Sequence, residues 1–344
     1  MNDGPLAVSN NSPFVCAVTP GFDREGRPQI TIVVKGTFQV ESGRCRAAPA
    51  DQQIPIVHAP VHHGDPATSS LRYESDLVSA KPGTDVVLVG QAWSLKPTTG
   101  VMVKVRAGPL SARLRVSGDR HWRKGWFGWN ASTPQPFERM PLVYERAYGG
   151  SDLDAPPGPK AGDMRNPIGV GFRRPAVDGD QVRNALPNLE HPEHPLRSPG
   201  DRSAMPVGVG FISPAWMPRL GHAGTYDDAW RSSRAPFLPD DFDPRFLLAA
   251  SPGLSATTHF LGGEAICVEN AGPDAVWEFA LPTGAPAVAM RMTGNRRLVP
   301  ALALDTVLLE PDQSHAVLTW RGVATCGRHW MEVERITVAV GDVA

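Results

Sequence analysis

Apolar residues in this chain come in short runs that either alternate with polar positions or fill both faces of a segment. The runs are rich in Val, Ile, Thr and Trp and end at Gly, Pro, Asn or Asp, which is the pattern of β-strands between turns. It predicts strands over residues 29–40, 85–93, 101–106 and 110–116, and again over 264–269, 276–281, 288–292, 298–304, 316–321 and 331–340. The run from Asp85 to Trp93 is apolar on both faces at its start, as expected of a strand held between two layers. Ala107-Gly-Pro109 supplies a turn between the third and fourth strands, so these two should form an antiparallel hairpin.

Between residues 122 and 263 the pattern changes. Pro and Gly become dense, alternation is scarce, and aromatic residues are frequent. Structureless segments of this length are unusual in compact domains, and disordered ones are poor in aromatics, so the stretch reads as ordered loops pinned by aromatic anchors. The best helix signal lies here: residues 244–251 follow Asp243, placed to cap the first free N–H groups, with Pro244 at the first helical position and Pro252-Gly253 as the stop. The predicted fold is mainly β: an antiparallel β-sandwich-like core with a long loop-rich central insertion and little helix. It is read as one β-rich domain over 1–344, in which strand-rich 1–121 and 264–344 flank loop-rich 122–263.

Composition sharpens this picture. With 344 residues, 41% of them hydrophobic, the chain can bury a sizeable core. Glycine (34) and proline (35) supply a fifth of it, against about 12% in average proteins, which argues against long helices. Charges nearly cancel, 34 Lys plus Arg against 35 Asp plus Glu, without a basic run; nucleic-acid and anionic-membrane binders need a concentrated positive face. No apolar run approaches the roughly 20 residues of a membrane helix, and residues 1–14 lack the features of a secretion signal, so a cytoplasmic location is expected. Cys16, Cys45, Cys267 and Cys326 lie far apart and read as free thiols in a reducing compartment.

Candidate chemistry is sparse. His191-Pro-Glu-His194 and the group His58, His62, His63 and Asp65 bring imidazoles and acids close in sequence, but the prolines around the first prevent the helical stacking of H-E-x-x-H. Asp227, Asp228, Asp240, Asp241 and Asp243 form the densest acidic grouping, and such residues can hold a divalent cation; capping and turn hydrogen bonds account for them more simply. Neither a G-x-S-x-G elbow, a phosphate-cradling G-x-x-x-x-G-K-[ST] nor a dinucleotide G-x-G-x-x-G is present. No cofactor, no metal site and no catalytic residue is therefore expected.

Six phrases are more informative: Val116-Ser-Gly-Asp-Arg-His-Trp122, Pro136-Phe-Glu-Arg-Met-Pro-Leu-Val-Tyr-Glu-Arg-Ala-Tyr-Gly-Gly150, Asn166-Pro-Ile-Gly-Val-Gly171, Leu186-Pro-Asn-Leu-Glu190, Gly224-Thr-Tyr-Asp-Asp-Ala-Trp230 and Pro236-Phe-Leu-Pro-Asp-Asp-Phe-Asp243. In this order, with Asp305-Thr306 and Thr319-Trp-Arg321, they resemble a bacterial family catalogued as a domain of unknown function and encoded beside type VI secretion spike and effector genes. The resemblance implies an adaptor or chaperone that binds a cognate effector, often one with a PAAR-like spike-tip domain, and promotes its loading onto the VgrG spike. It brings no catalytic residues with it.

Protein interfaces are anchored by Trp, Tyr, Phe and Arg. Within the phrases and beside them, Trp126, Phe127, Trp129, Tyr144, Arg146, Tyr148, Tyr226, Trp230 and Arg231 are accordingly the candidate partner-binding residues. Two other classes compete: a hydrolase or metal-dependent enzyme using Asp227, Asp240, Asp241 or the histidines, and a structural, spike-associated component that is itself exported.

Overall fold

The computed structural model describes residues 7–152, 161–326, 330–341 and 343. The chain is mostly β-strand, and its strands gather into several sheets around one contiguous core. The largest sheet is centred on two long strands, Pro28–Glu41 and His315–Thr325, paired antiparallel. Val15–Phe22 and Arg44–Ala47 pair with the first, Ala303–Glu310 with the second, and Asp85–Leu88 closes the far edge. A second sheet is built on the predicted hairpin, Gly100–Ala107 with Leu110–Ser117, extended by Ala265–Glu269 and Val276–Ala280 on one side and Leu189–Glu190 on the other. A third comprises Ala7–Asn11, Val333–Ala339, Ala287–Met292 and Arg296–Leu298. Alternate residues of all three meet in the middle: Val34, Phe38 and Trp320 from the first, Val103, Val105, Leu114 and Ile266 from the second, Met290, Ile336 and Val338 from the third.

The other face of the large sheet is also covered, and by polar groups. Lys35 and Arg321 project there from adjacent strands and are almost fully buried. Charges out of water need partners, and the segments laid over this face provide them. Lys35 Nζ donates to Asp76 Oδ2 (2.7 Å) and to the Pro55 carbonyl (3.1 Å). Arg321 forks onto Asp305 and also donates to the Asp76 carbonyl. Thr306 Oγ1 donates to Asp305 and accepts from Lys81, whose ammonium lies 2.7 Å from Asp85 Oδ2. Asp85 in turn accepts from the backbone N–H of Ala249 and the hydroxyl of Ser255. The result is a connected chain of three buried ion pairs running across the sheet.

Several expectations need correction. The predicted strand 85–93 ends at Leu88, and Gln91–Thr98 is a separate strand paired with Phe137–Pro141. The expected mainly β core of antiparallel sheets stands; within it Asp85–Leu88 runs parallel to Ala303–Glu310, and Ala7–Asn11 parallel to Val333–Ala339. No strand spans 298–304; one ends at Leu298 and another begins at Ala303. The predicted helix 244–251 is a single 3-10 turn, Pro244–Leu247, although Asp243 does cap it by accepting from the N–H of Arg245. The α-helix among the described residues is Asp228–Ser233, capped by Asp227, which accepts from the N–H of Trp230. The loop-rich region also contributes to the core sheets, because Leu189–Glu190 pairs with Leu110–Ser117.

Candidate functional site

The most exposed apolar feature is the tip of a small hairpin. Trp122–Gly125 pairs antiparallel with Gly128–Ala131, leaving Trp126 and Phe127 as the connecting pair. Gly128 takes φ +126°, outside the range comfortable for other residues, so the two aromatics keep negative φ. Cross-strand neighbours share a face. Trp122 and Ala131, and next to them Lys124 and Trp129, therefore look to the same side. Trp122 sinks into a satellite cluster with Tyr148, Phe172, Leu186, Leu196 and Ala204, against which Trp129 also packs, and the Lys124 ammonium lies 5.5 Å from the Trp129 ring centre. Backbone bonds from Trp122 N to Asn184 O, Leu186 N to Arg120 O and Ser132 N to His121 O fasten the base. Beyond this anchored base, Trp126 and Phe127 are fully exposed, at 102% and 105%.

The other candidates divide sharply. Tyr144 and Tyr148 are 5% and 2% exposed, so they are corrected from surface contacts to internal fasteners. Tyr144 meets Trp216 edge-on at 5.6 Å and shares a 2.6 Å hydrogen bond with Ser251 Oγ; burial pushes its phenol up to about 12. Tyr148 Oη donates to the Asp201 carbonyl. Arg146, half-exposed, donates to Asn188 Oδ1 (3.0 Å) and approaches Asp119 (3.4 Å), and Asn188 ties the same region to the Ser117 carbonyl. Tyr226, just before the short helix, meets Trp230 on it edge-on at 4.8 Å; Trp230 Nε1 donates to the Phe237 carbonyl, and exposed Arg231 pairs with Asp228. The structure thus gathers Trp126, Phe127 and Trp129 on one hairpin, and Tyr226, Trp230 and Arg231 on a separate helical corner.

The central acids and His191 have local duties. Asp227 caps the helix, Asp240 lies 3.1 Å from Arg234, Asp241 accepts from both the N–H and hydroxyl of Thr225, and Asp243 pairs with Arg245. The Arg245 guanidinium and N–H hold the Asp243 carboxyl down to about 2. His191 and His194 lie with ring centres 5.0 Å apart, but His191 Nδ1 already accepts from the N–H groups of Glu193 and His194. Among the described residues no three His, Cys, Asp or Glu side chains converge as metal ligands would. Among the described residues no helix is long and apolar enough to cross a membrane.

Residues 25–321 match the family described as "Uncharacterized protein conserved in bacteria (DUF2169)". The chain belongs to this family. No curated protein and no solved structure matches it. The structure clarifies the phrases that carried the resemblance. Asp305-Thr306 and Arg321 are members of the buried ion-pair chain. The phrases 224–230 and 236–243 hold each other through Thr225, Asp241, Trp230 and Phe237.

Sequence reading did not pick out Arg123 and Lys124, the exposed cations just below the aromatic tip. The available signal was the spacing Trp122-Arg-Lys-Gly-Trp-Phe-Gly-Trp129, in which two glycines bracket two residues as a hairpin loop requires.

Proposed function

We propose that this DUF2169 protein is a non-catalytic adaptor that binds a cognate type VI secretion effector, with a PAAR-like domain as the expected spike-tip element, and promotes its loading onto the VgrG spike. The observation that carries a binding role is the fully exposed Trp126 and Phe127 pair on an anchored hairpin. Two large aromatics held in water by a fixed base are the kind of anchor around which protein interfaces are organised. The direction towards secretion comes from the resemblance of the six phrases. An adaptor that loads cargo inside the producing cell works in the cytoplasm and needs neither cofactor nor metal.

Co-expression with the effector encoded by the adjacent gene tests this directly. Affinity purification followed by size-exclusion chromatography with light scattering should yield a stable complex and a gain in effector solubility. No complex and no gain would end the adaptor reading. The enzyme alternative predicts an activity abolished by Asp240→Ala with Asp241→Ala; these acids sit in an exposed corner, tied to Arg234 and Thr225. The structural alternative predicts this chain in secreted material at effector levels.

A further inference from the structure

The hairpin tip is more than an exposed apolar spot, because its surroundings specify what it fits. Between Asp119 and Glu138 the chain contains no carboxylate, yet it carries Arg120, Arg123 and Lys124. Arg120 is neutralised by Glu190 at 2.8 Å, and Asp119 is engaged by Asn188. Arg123 and Lys124 are exposed and interact with uncharged groups, Arg123 Nε with His121 Nε2 (3.1 Å) and the Lys124 ammonium with the Trp129 ring. Two positive charges with no carboxylate partner among the described residues therefore form a collar directly beneath two fully exposed rings.

We infer that Trp126 and Phe127 form a plug for an apolar socket on a protein partner, and that Arg123 and Lys124 pair with carboxylates on the rim of that socket. This rests on the adaptor reading for who the partner is, but not for the chemistry of the socket. A membrane fits the feature less well. The apolar cap is two side chains deep, with charged residues immediately below, and the chain has a net charge of −1 without a basic run to add the second anchoring signal that stable membrane binding needs. Two aromatic side chains contribute roughly 300–500 Å² of contact, short of the roughly 800 Å² per partner in a standard interface. The plug is thus the energetic centre of a larger contact, and the collar sets orientation and encounter rate.

The test is in-cell photocrosslinking with p-benzoylphenylalanine at position 127 of the full chain, and at exposed Leu261 as control. The expected result is a protein adduct specific to position 127, mapping to an apolar surface bordered by Asp or Glu, and strongly reduced in Arg123→Glu/Lys124→Glu. With the purified partner, Trp126→Ser/Phe127→Ser should weaken binding by at least about 30-fold, and the charge reversal by about tenfold at low salt, narrowing as salt rises. The serine double variant should keep the wild-type unfolding midpoint, since Trp126 and Phe127 lie outside the packed base, and the charge reversal should lower it only slightly through the lost Lys124–Trp129 and Arg123–His121 contacts. An adduct to lipid, to a second copy of this chain, to an apolar surface without acids, or no adduct at all would overturn the proposal. If the crosslinked protein is not an exported effector, the adaptor reading fails while the socket stands. If the effector co-elutes equally with wild type and the serine double variant, the socket fails while the adaptor reading stands.

Discussion

The buried ion pair between Arg321 and Asp305 offers the most quantitative test of how this fold is held together. Both side chains are almost wholly out of water, and Arg321 also donates twice to the Asp76 carbonyl. Replacing Arg321 by Met leaves the Asp305 carboxylate buried without its counter-charge, a loss of about 3–5 kcal/mol. The stranded Asp76 carbonyl adds about 1–3 kcal/mol. Replacing Asp305 by Leu as well removes the stranded charge, so the double variant should retain the carbonyl cost and that of the Thr306 hydroxyl, which loses its acceptor, and lie within about 2–4 kcal/mol of wild type. The double is thus expected to be more stable than the Arg321→Met single although Asp305→Leu alone, which strands the Arg321 charge, is destabilising; additive changes cannot produce that combination.

Urea denaturation followed by tryptophan fluorescence gives the four stabilities of the cycle, and Trp320, on the neighbouring strand position, is itself fully buried. Arg321→Lys refines the result, because lysine keeps the charge but lacks the planar fork that reaches both Asp305 and the Asp76 carbonyl; it should fall between wild type and Arg321→Met. A double variant as damaged as the single, or a single costing under about 1 kcal/mol, would show that the pair is solvated and that the covering segments 53–81 do not seal this face.

Three further outcomes follow from individual sites. Gly128→Val should strain the hairpin by about 1–3 kcal/mol, because φ +126° suits glycine; hydrogen exchange should speed up over 122–131 with little change in global unfolding. Asp243, with its carboxyl lowered to about 2, contributes stability above the ordinary carboxylate range of about 4 and loses it as pH falls through 2; NMR titration should find the low midpoint, and Arg245→Gln should raise it. Cys45, pushed up to about 12 by burial, should alkylate slowly at pH 8 in the native state, whereas all four thiols should react once the chain is unfolded.

Much of the strand framework was legible because burial on one or both faces writes a period into the sequence. The hairpin 100–117 and the long strand Pro28–Glu41 follow their predicted bounds closely for that reason. The break after Leu88 was not legible: Val89 and Gly90 continue the apolar run, and Val89 N still bonds to Leu309 O, but the Gly90 carbonyl accepts from Leu142 N, so the chain there turns to a different partner. The short helix Asp228–Ser233 was hidden because its six residues carry no apolar stripe, and its stability rests on the Asp227 cap and the Trp230 bond to Phe237. Lys35 was a visible anomaly, a charge inside an apolar run, yet its partner Asp76 lies 41 residues away.

The same logic explains why the candidate aromatics separated as they did. The central segment has few ladder hydrogen bonds of its own, so its loops are tied down by side chains: Tyr144 to Ser251, Tyr148 to Asp201, Trp230 to Phe237 and Asn188 to Ser117. An aromatic or amide in such a segment is first of all a fastener, and five of the six phrases contribute a residue to these bonds. Trp126 and Phe127 lie outside every one of those phrases and fasten nothing, although Trp122, a few residues earlier, is fully committed to the satellite cluster. Exposed rings of this size add nothing to the packing of the fold, and the partner socket proposed above would give them a role on their glycine-bracketed, aromatic-anchored support.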